Sequence, residues 1–139
     1  MMAVLTSLDS RLFETGHVLI EENEKVKDLI IAAEGKLKLY GFYDHRDERI
    51  KMHIVNLPVR SWFGDYQIML NLESSFQLEA GKSHKNSHYG KYIVQVYKIN
   101  AEALLDIAQE YPLFRRFLLM RATKRRSHFI HILEEMKQV

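Results

Sequence analysis

The stretch Ser61-Trp62-Phe63-Gly64-Asp65-Tyr66-Gln67-Ile68-Met69-Leu70-Asn71-Leu72 combines residue types that could hold a small anion. A glycine opening a short helix lets the backbone approach a ligand closely. The N–H groups of a first helical turn lack intrahelical acceptors, so those at Gly64 and Tyr66 would favour a phosphate. Asp65, directly after the glycine, could accept a hydrogen bond from a sugar hydroxyl. On spacing alone an ordinary strand-to-helix turn, with Trp62 and Phe63 in the core, is the simpler account of the same residues.

A second concentration of chemistry is basic. Arg115, Arg116, Arg121, Lys124, Arg125 and Arg126 place six cations on one stretch of predicted helix. Such a cluster is a solvated face, a docking surface for an anionic membrane or partner protein, or a phosphate contact, and the pattern does not choose among them. Seven histidines invite a metal, but His128 and His131 are three apart on that helix and only His53 falls on a predicted strand, so no metal ligand set is assigned. Consecutive carboxylates such as Glu21-Glu22 and Glu134-Glu135 read as solvated. No Gly-x-Ser-x-Gly elbow occurs and cysteine is absent, which leaves no activated nucleophile and no catalytic residue to name; the chain is expected not to be an enzyme.

The elements that must position these residues follow from apolar spacing. Leu5, Leu8, Leu12 and Phe13 recur at helical intervals ahead of Gly16 and predict a short N-terminal helix over Leu5 to Phe13. Strands are expected at Val18–Ile20, Leu29–Ala33 and Lys36–Tyr43, where Lys36-Leu37-Lys38-Leu39-Tyr40 alternates as a half-buried antiparallel strand does. The charged segment Asp44 to Arg49 reads as the turn of a hairpin continued by Ile50–Leu57. Ser75–Ala80 and Tyr92–Ile99 are further strands, and the Gly/Ser/Lys/His-rich segment Gly81 to Lys91 reads as a mobile surface loop. Asn100 is a good N-cap for a helix over Ala101–Gln109, and Pro112 opens a last helix with Phe114, Leu118, Ala122, Phe129, Leu133 and Met136 along one stripe.

With 139 residues, 47% of them hydrophobic, the chain can build one core, and one domain spanning 1–139 is expected. A net charge of +2 does not support nucleic acid as a partner. The longest apolar runs, Leu29 to Ala33 and Phe117 to Met120, fall far short of the roughly 20 residues that span a bilayer. The lack of cysteine fits a reducing, cytoplasmic setting, and Met1-Met2 without signal-peptide character fits a module cut from a longer polypeptide.

At Phe63-Gly64-Asp65 the chain resembles the cyclic nucleotide-binding domain family, whose phosphate cassette reads Phe-Gly-Glu, a short helix, then Arg and a small residue. The resemblance extends through Gly16 with Val18 to Ile20 and through Ile30-Ile31-Ala32-Ala33-Glu34-Gly35-Lys36-Leu37, and covers nearly the whole chain in order. It implies an α+β, mainly β fold: an antiparallel β-roll, or double-stranded jelly roll, with an N-terminal helix, a cassette helix and C-terminal lid helices. Phe63, Gly64, Asp65, Tyr66, Ser74 and Ser75 would form the ligand site, with cAMP or cGMP as the candidate ligand and no other cofactor. Ser74 stands where the family's phosphate-pairing arginine belongs, with Ser75 at the small position, and Asp65 replaces the longer Glu. Loss of a guanidinium–phosphate pair weakens binding by on the order of a few kcal/mol, so weak or absent nucleotide affinity is expected. The tail, from Tyr97-Lys98-Ile99-Asn100 through Leu104-Leu105 and Tyr111-Pro112 to Arg125-Arg126, is similar to the version carried by voltage-gated potassium channels of unicellular eukaryotes. That likeness implies a regulatory domain of a cation channel on the cytoplasmic face of a membrane, a homotetramer in its parent. The competing expectation is a protein- or membrane-interaction module acting through the basic helix. A DNA-binding member of the family would need a helix-turn-helix after the long helix, and a protein kinase regulatory subunit two complete cassettes; neither pattern is present in these residues.

Overall fold

The computed structural model describes residues 8–82, 85–86 and 91–137. Its strands are β1 (Leu8–Glu14), β2 (Val18–Ile20), β3 (Asp28–Glu34), β4 (Leu37–His45), β5 (Glu48–Leu57), β6 (Trp62–Phe63), β7 (Gln77–Ala80), β8 (Lys85–Asn86) and β9 (Lys91–Asn100). Its helices are α1 (Asp65–Met69), between β6 and β7, then α2 (Ala101–Glu110) and α3 (Pro112–Lys137). One sheet runs β1-β9-β3-β6, with β8 also paired to β9, and the other runs β2-β7-β4-β5. Every pairing is antiparallel.

Alternation decides which side chains fill the roll. Leu37 and Leu39 of β4, Leu78 of β7 and Val94 and Val96 of β9 are wholly buried, each two residues from the next on its strand where two are present. Phe63, Phe76 and Ile30 complete the interior. The β4–β5 hairpin turns on Arg46 and Asp47, both left-handed at φ 50° and 66°, as a two-residue turn with primed geometry requires. Arg49 pairs with Asp44 and Glu22 over that turn.

Asn100 caps α2: its Oδ1 accepts the Glu102 N–H at 2.9 Å. Tyr111 is extended, the conformation favoured before a proline, and Pro112 then begins α3. Along α3 the buried residues are Leu118, Ala122, Phe129 and Met136, one stripe facing the roll and α1. Met136 closes on β4 at Gly41, where an added Cβ would lie 2.8 Å from the Met136 sulfur. No helix among the described residues is long and apolar enough to cross a membrane.

Two expectations are corrected. The N-terminal helix is instead strand β1, paired along β9 from Leu8↔Ile99 to Glu14↔Ile93; its Leu5 to Ser7 portion lies outside the described residues. β1 is an edge strand with only Leu8 and Phe13 half-buried, so helix-like spacing of a few apolar residues was overruled by backbone pairing. Within the Gly81 to Lys91 loop, Lys85 and Asn86 pair with Tyr92 and Lys91, a short ladder made by backbone and needing no apolar pattern. Residues 83–84 and 87–90 of that loop lie outside the described residues.

Candidate functional site

Local sequence sets the geometry around α1. Gly64 precedes the helix with φ 109°, and a Cβ there would stand 3.0 Å from Val26 and 3.1 Å from the Asp28 carbonyl. A side chain would therefore meet both a left-handed backbone and the start of β3. The first helical bonds run from Ile68 N–H to Gly64 O at 3.0 Å and from Leu70 N–H to Tyr66 O at 2.9 Å. The amides of Asp65, Tyr66 and Gln67 precede them and have no intrahelical acceptor.

Phe63, Gly64, Asp65 and Tyr66 are all buried. Asp65 is 1% exposed, and its acid is met by a residue from the opposite end of the chain: Arg125 Nε lies 3.0 Å from Asp65 Oδ1, while Arg125 Nη2 donates to the Trp62 carbonyl at 2.7 Å. The ion pair is close but poorly aligned, and neither carboxylate oxygen receives a hydrogen bond. Burial of a carboxylate in this condition is costly. Burial raises the Tyr66 phenol to about 12, with the neighbouring Asp65 charge adding to the shift.

Phe129, one helical turn beyond Arg125, enters the roll among three rings of the cassette and core. Its centroid lies 6.4 Å from Phe63, 5.8 Å from Tyr66 and 5.0 Å from Phe76. Arg121 and Arg125 lie over Trp62 at 4.9 and 5.8 Å. Beside this contact, between β5 and α3, opens a cavity of about 760 Å³. Met52, His53, Ile54, Val55 and Leu57 form its strand wall; Lys124, Arg125, His128 and the acid Glu135 bring polar groups from the helix. An apolar wall with a few converging polar groups is the usual constitution of a small-molecule site.

The two serines separate. Ser75 is exposed, whereas Ser74 is 1% exposed and its hydroxyl is committed locally, donating to Phe76 O at 2.7 Å and accepting Phe76 N–H at 3.1 Å. Of the basic cluster, Arg125 joins the cassette, and Arg126, though exposed, is near enough to act on the Tyr66 phenol; Arg115 and Arg116 lie exposed nearer the start of α3. Sequence reasoning placed Phe129 on the buried stripe without its destination, and missed Ile54 and Val55 as cavity wall. One signal was available: Arg125 and Phe129 are four residues apart, hence on one helical face.

No family model matches the sequence, and no curated protein matches it. Solved structures share its architecture. The catabolite activator protein of Thermus thermophilus matches with a TM-score of 0.70 and 18% identity, over 97% of this chain and 56% of that one. The sensor domain of the transcriptional regulator DNR from Pseudomonas aeruginosa gives a TM-score of 0.70 at 15% identity, covering 93% of this chain and 78% of that one. The regulatory domain of Toxoplasma gondii PKA with cAMP gives 0.60 at 14% identity, covering 78% and 41%. This chain thus spans little more than half the length of the Thermus protein. Identities this low speak for architecture alone, and the architecture is the cyclic nucleotide-binding β-roll fold.

Proposed function

We propose that this chain is a regulatory ligand-sensing domain in which occupancy of the cavity between β5 and α3 is coupled to the docking of α3. The observation that carries this reading is Asp65: a buried carboxylate without a hydrogen-bond donor, held by an arginine from the lid helix that also lines the cavity. A ligand hydroxyl donated to Asp65 competes with Arg125, and an anionic group on the same ligand draws Arg125, Lys124 or His128 towards itself. Either contact shifts the balance between docked and undocked α3 in proportion to the ligand's differential affinity for the two.

Cyclic nucleotides carry both groups, and cAMP and cGMP are the ligands this reading names. Phe63, Gly64, Asp65 and Tyr66 supply the cradle, Ser75 its exposed rim. Ser74 contributes no contact, because its hydroxyl is spent on Phe76. Affinity is therefore weak. The likeness of the tail to potassium-channel versions supports a place in a cation channel on the cytoplasmic side, assembled as a homotetramer, where α3 would pass the ligand's effect to the gate.

Thermal-shift titrations of the wild type and Ser74→Arg with cAMP and cGMP test the reading, since a ligand of the folded state raises its apparent stability. The wild type should respond only at large excess, and the variant at tenfold lower concentration or better. Submicromolar binding by the wild type would overturn the account of Ser74. No response from either protein removes cyclic nucleotides as ligands.

A further inference from the structure

We propose that the outward face of α3 is a docking surface for an anionic phospholipid bilayer. Between Glu110 and Glu134 the chain has no acidic residue, yet this span holds Arg115, Arg116, Arg121, Lys124, Arg125 and Arg126. That leaves 14 of the 20 basic side chains to balance all 18 acids elsewhere, so a nearly neutral protein concentrates its positive charge on one helix. The local excess is not neutralised by packing. Arg125 pairs with Asp65, and Arg121 lies over Trp62 and Phe117, but Arg115, Arg116, Lys124 and Arg126 form no ion pair among the described residues.

The same helix exposes large apolar side chains beside those cations. Leu113 is 82% exposed, Phe117 49% and Met120 56%. Their spacing of four and three residues puts them on one stripe, opposite the buried line of Leu118, Ala122 and Phe129. Arg116 flanks that stripe by helical position, Lys124 continues it one turn beyond Met120, and Arg115, Arg116, Met120 and Lys124 border one shallow groove at its edge. Apolar residues that can enter the acyl boundary, interleaved with cations that stay at headgroup level, are what an interfacial helix needs. Charge selects the occupant. A second copy of this helix would bring Arg116 and Lys124 against like charges with no carboxylate between them, whereas an anionic leaflet attracts each cation and accepts Leu113, Phe117 and Met120.

Flotation with vesicles of phosphatidylcholine, with and without phosphatidylserine, tests the proposal. The wild type should float only with the phosphatidylserine vesicles, and high salt should release it. Arg115→Gln/Arg116→Gln and Leu113→Ser/Phe117→Ser should each lower the apparent affinity by about tenfold or more, with unchanged melting temperatures because all four residues are exposed. Neither pair touches Asp65 or the β5–α3 cavity, so nucleotide titrations of these variants remain a separate readout. Three results would overturn the inference: no flotation with phosphatidylserine, flotation unchanged in both variants, or a concentration-dependent dimer in sedimentation that Leu113→Ser/Phe117→Ser disperses.

Discussion

The two faces of α3 carry similar residue types under opposite conditions. Inward, Leu118, Ala122, Phe129 and Met136 are buried and Arg125 meets a carboxylate; outward, Leu113, Phe117 and Met120 are exposed, and Arg116 has no acid partner among the described residues. Hydrophobicity and charge therefore do not distinguish the faces; what each face meets does. On the inner face a side chain contributes to stability through packing in the roll, and on the outer face the same chemistry remains available to something else.

Truncating the inner aromatic should break this contrast most sharply. Phe129 is 6% exposed and contacts the Phe63, Tyr66 and Phe76 rings, so Phe129→Ala should cost about 3 to 5 kcal/mol in chemical denaturation. The outer counterpart Leu113→Ser should change stability by less than about 0.5 kcal/mol. Equal losses would mean that α3 has no inner face in solution.

A charge cycle sharpens the comparison next. Asp65 is almost wholly enclosed, whereas the Arg125 side chain is 24% exposed. Removing the cation strands a buried anion; removing the anion lets the guanidinium rehydrate while it still donates to Trp62 O. Arg125→Met should therefore cost about 3 kcal/mol, Asp65→Asn less than half of that, and the double variant less than Arg125→Met alone. Denaturant titration of the four proteins measures the cycle. A larger loss from Asp65→Asn than from Arg125→Met would show that the carboxylate is stabilised by something other than Arg125.

These experiments address what sequence could not supply. Elements whose cause is local were legible: the alternation of β4, the Asn100 cap, the start of α3 at Pro112 and the strand-to-helix turn at Phe63-Gly64-Asp65. Features whose cause is remote were not. β1 takes its state from β9, about 80 to 90 positions away, and its own exposed residues satisfy a helical spacing equally well. The partner of Asp65 lies 60 residues later, within a cluster of six cations that spacing alone does not separate. Ser74 could be recognised as standing in the arginine's place, but only coordinates reveal that its hydroxyl is turned onto Phe76.

The smallest effect concerns Tyr66, packed between cassette and lid. Burial, reinforced by Asp65, holds its phenol neutral up to about 12, against 10 for an ordinary tyrosine. Because the folded-state value is the higher one, the folded protein keeps a proton that the unfolded chain releases between those values. The resulting stability is complete below pH 10 and is lost as pH rises towards 12. Two pH units correspond to roughly 2 to 3 kcal/mol at full loss. Tyr66→Phe has no phenol to ionise there, so its stability relative to wild type should rise across this window while the difference stays constant below it. Denaturation midpoints of both proteins on either side of pH 10 measure this, and a constant difference throughout would mean that α3 does not seal Tyr66 from water. The outer face supplies the control: Leu113→Ser should follow the wild-type pH profile, since exposing more of that face leaves the cassette phenol in the same surroundings.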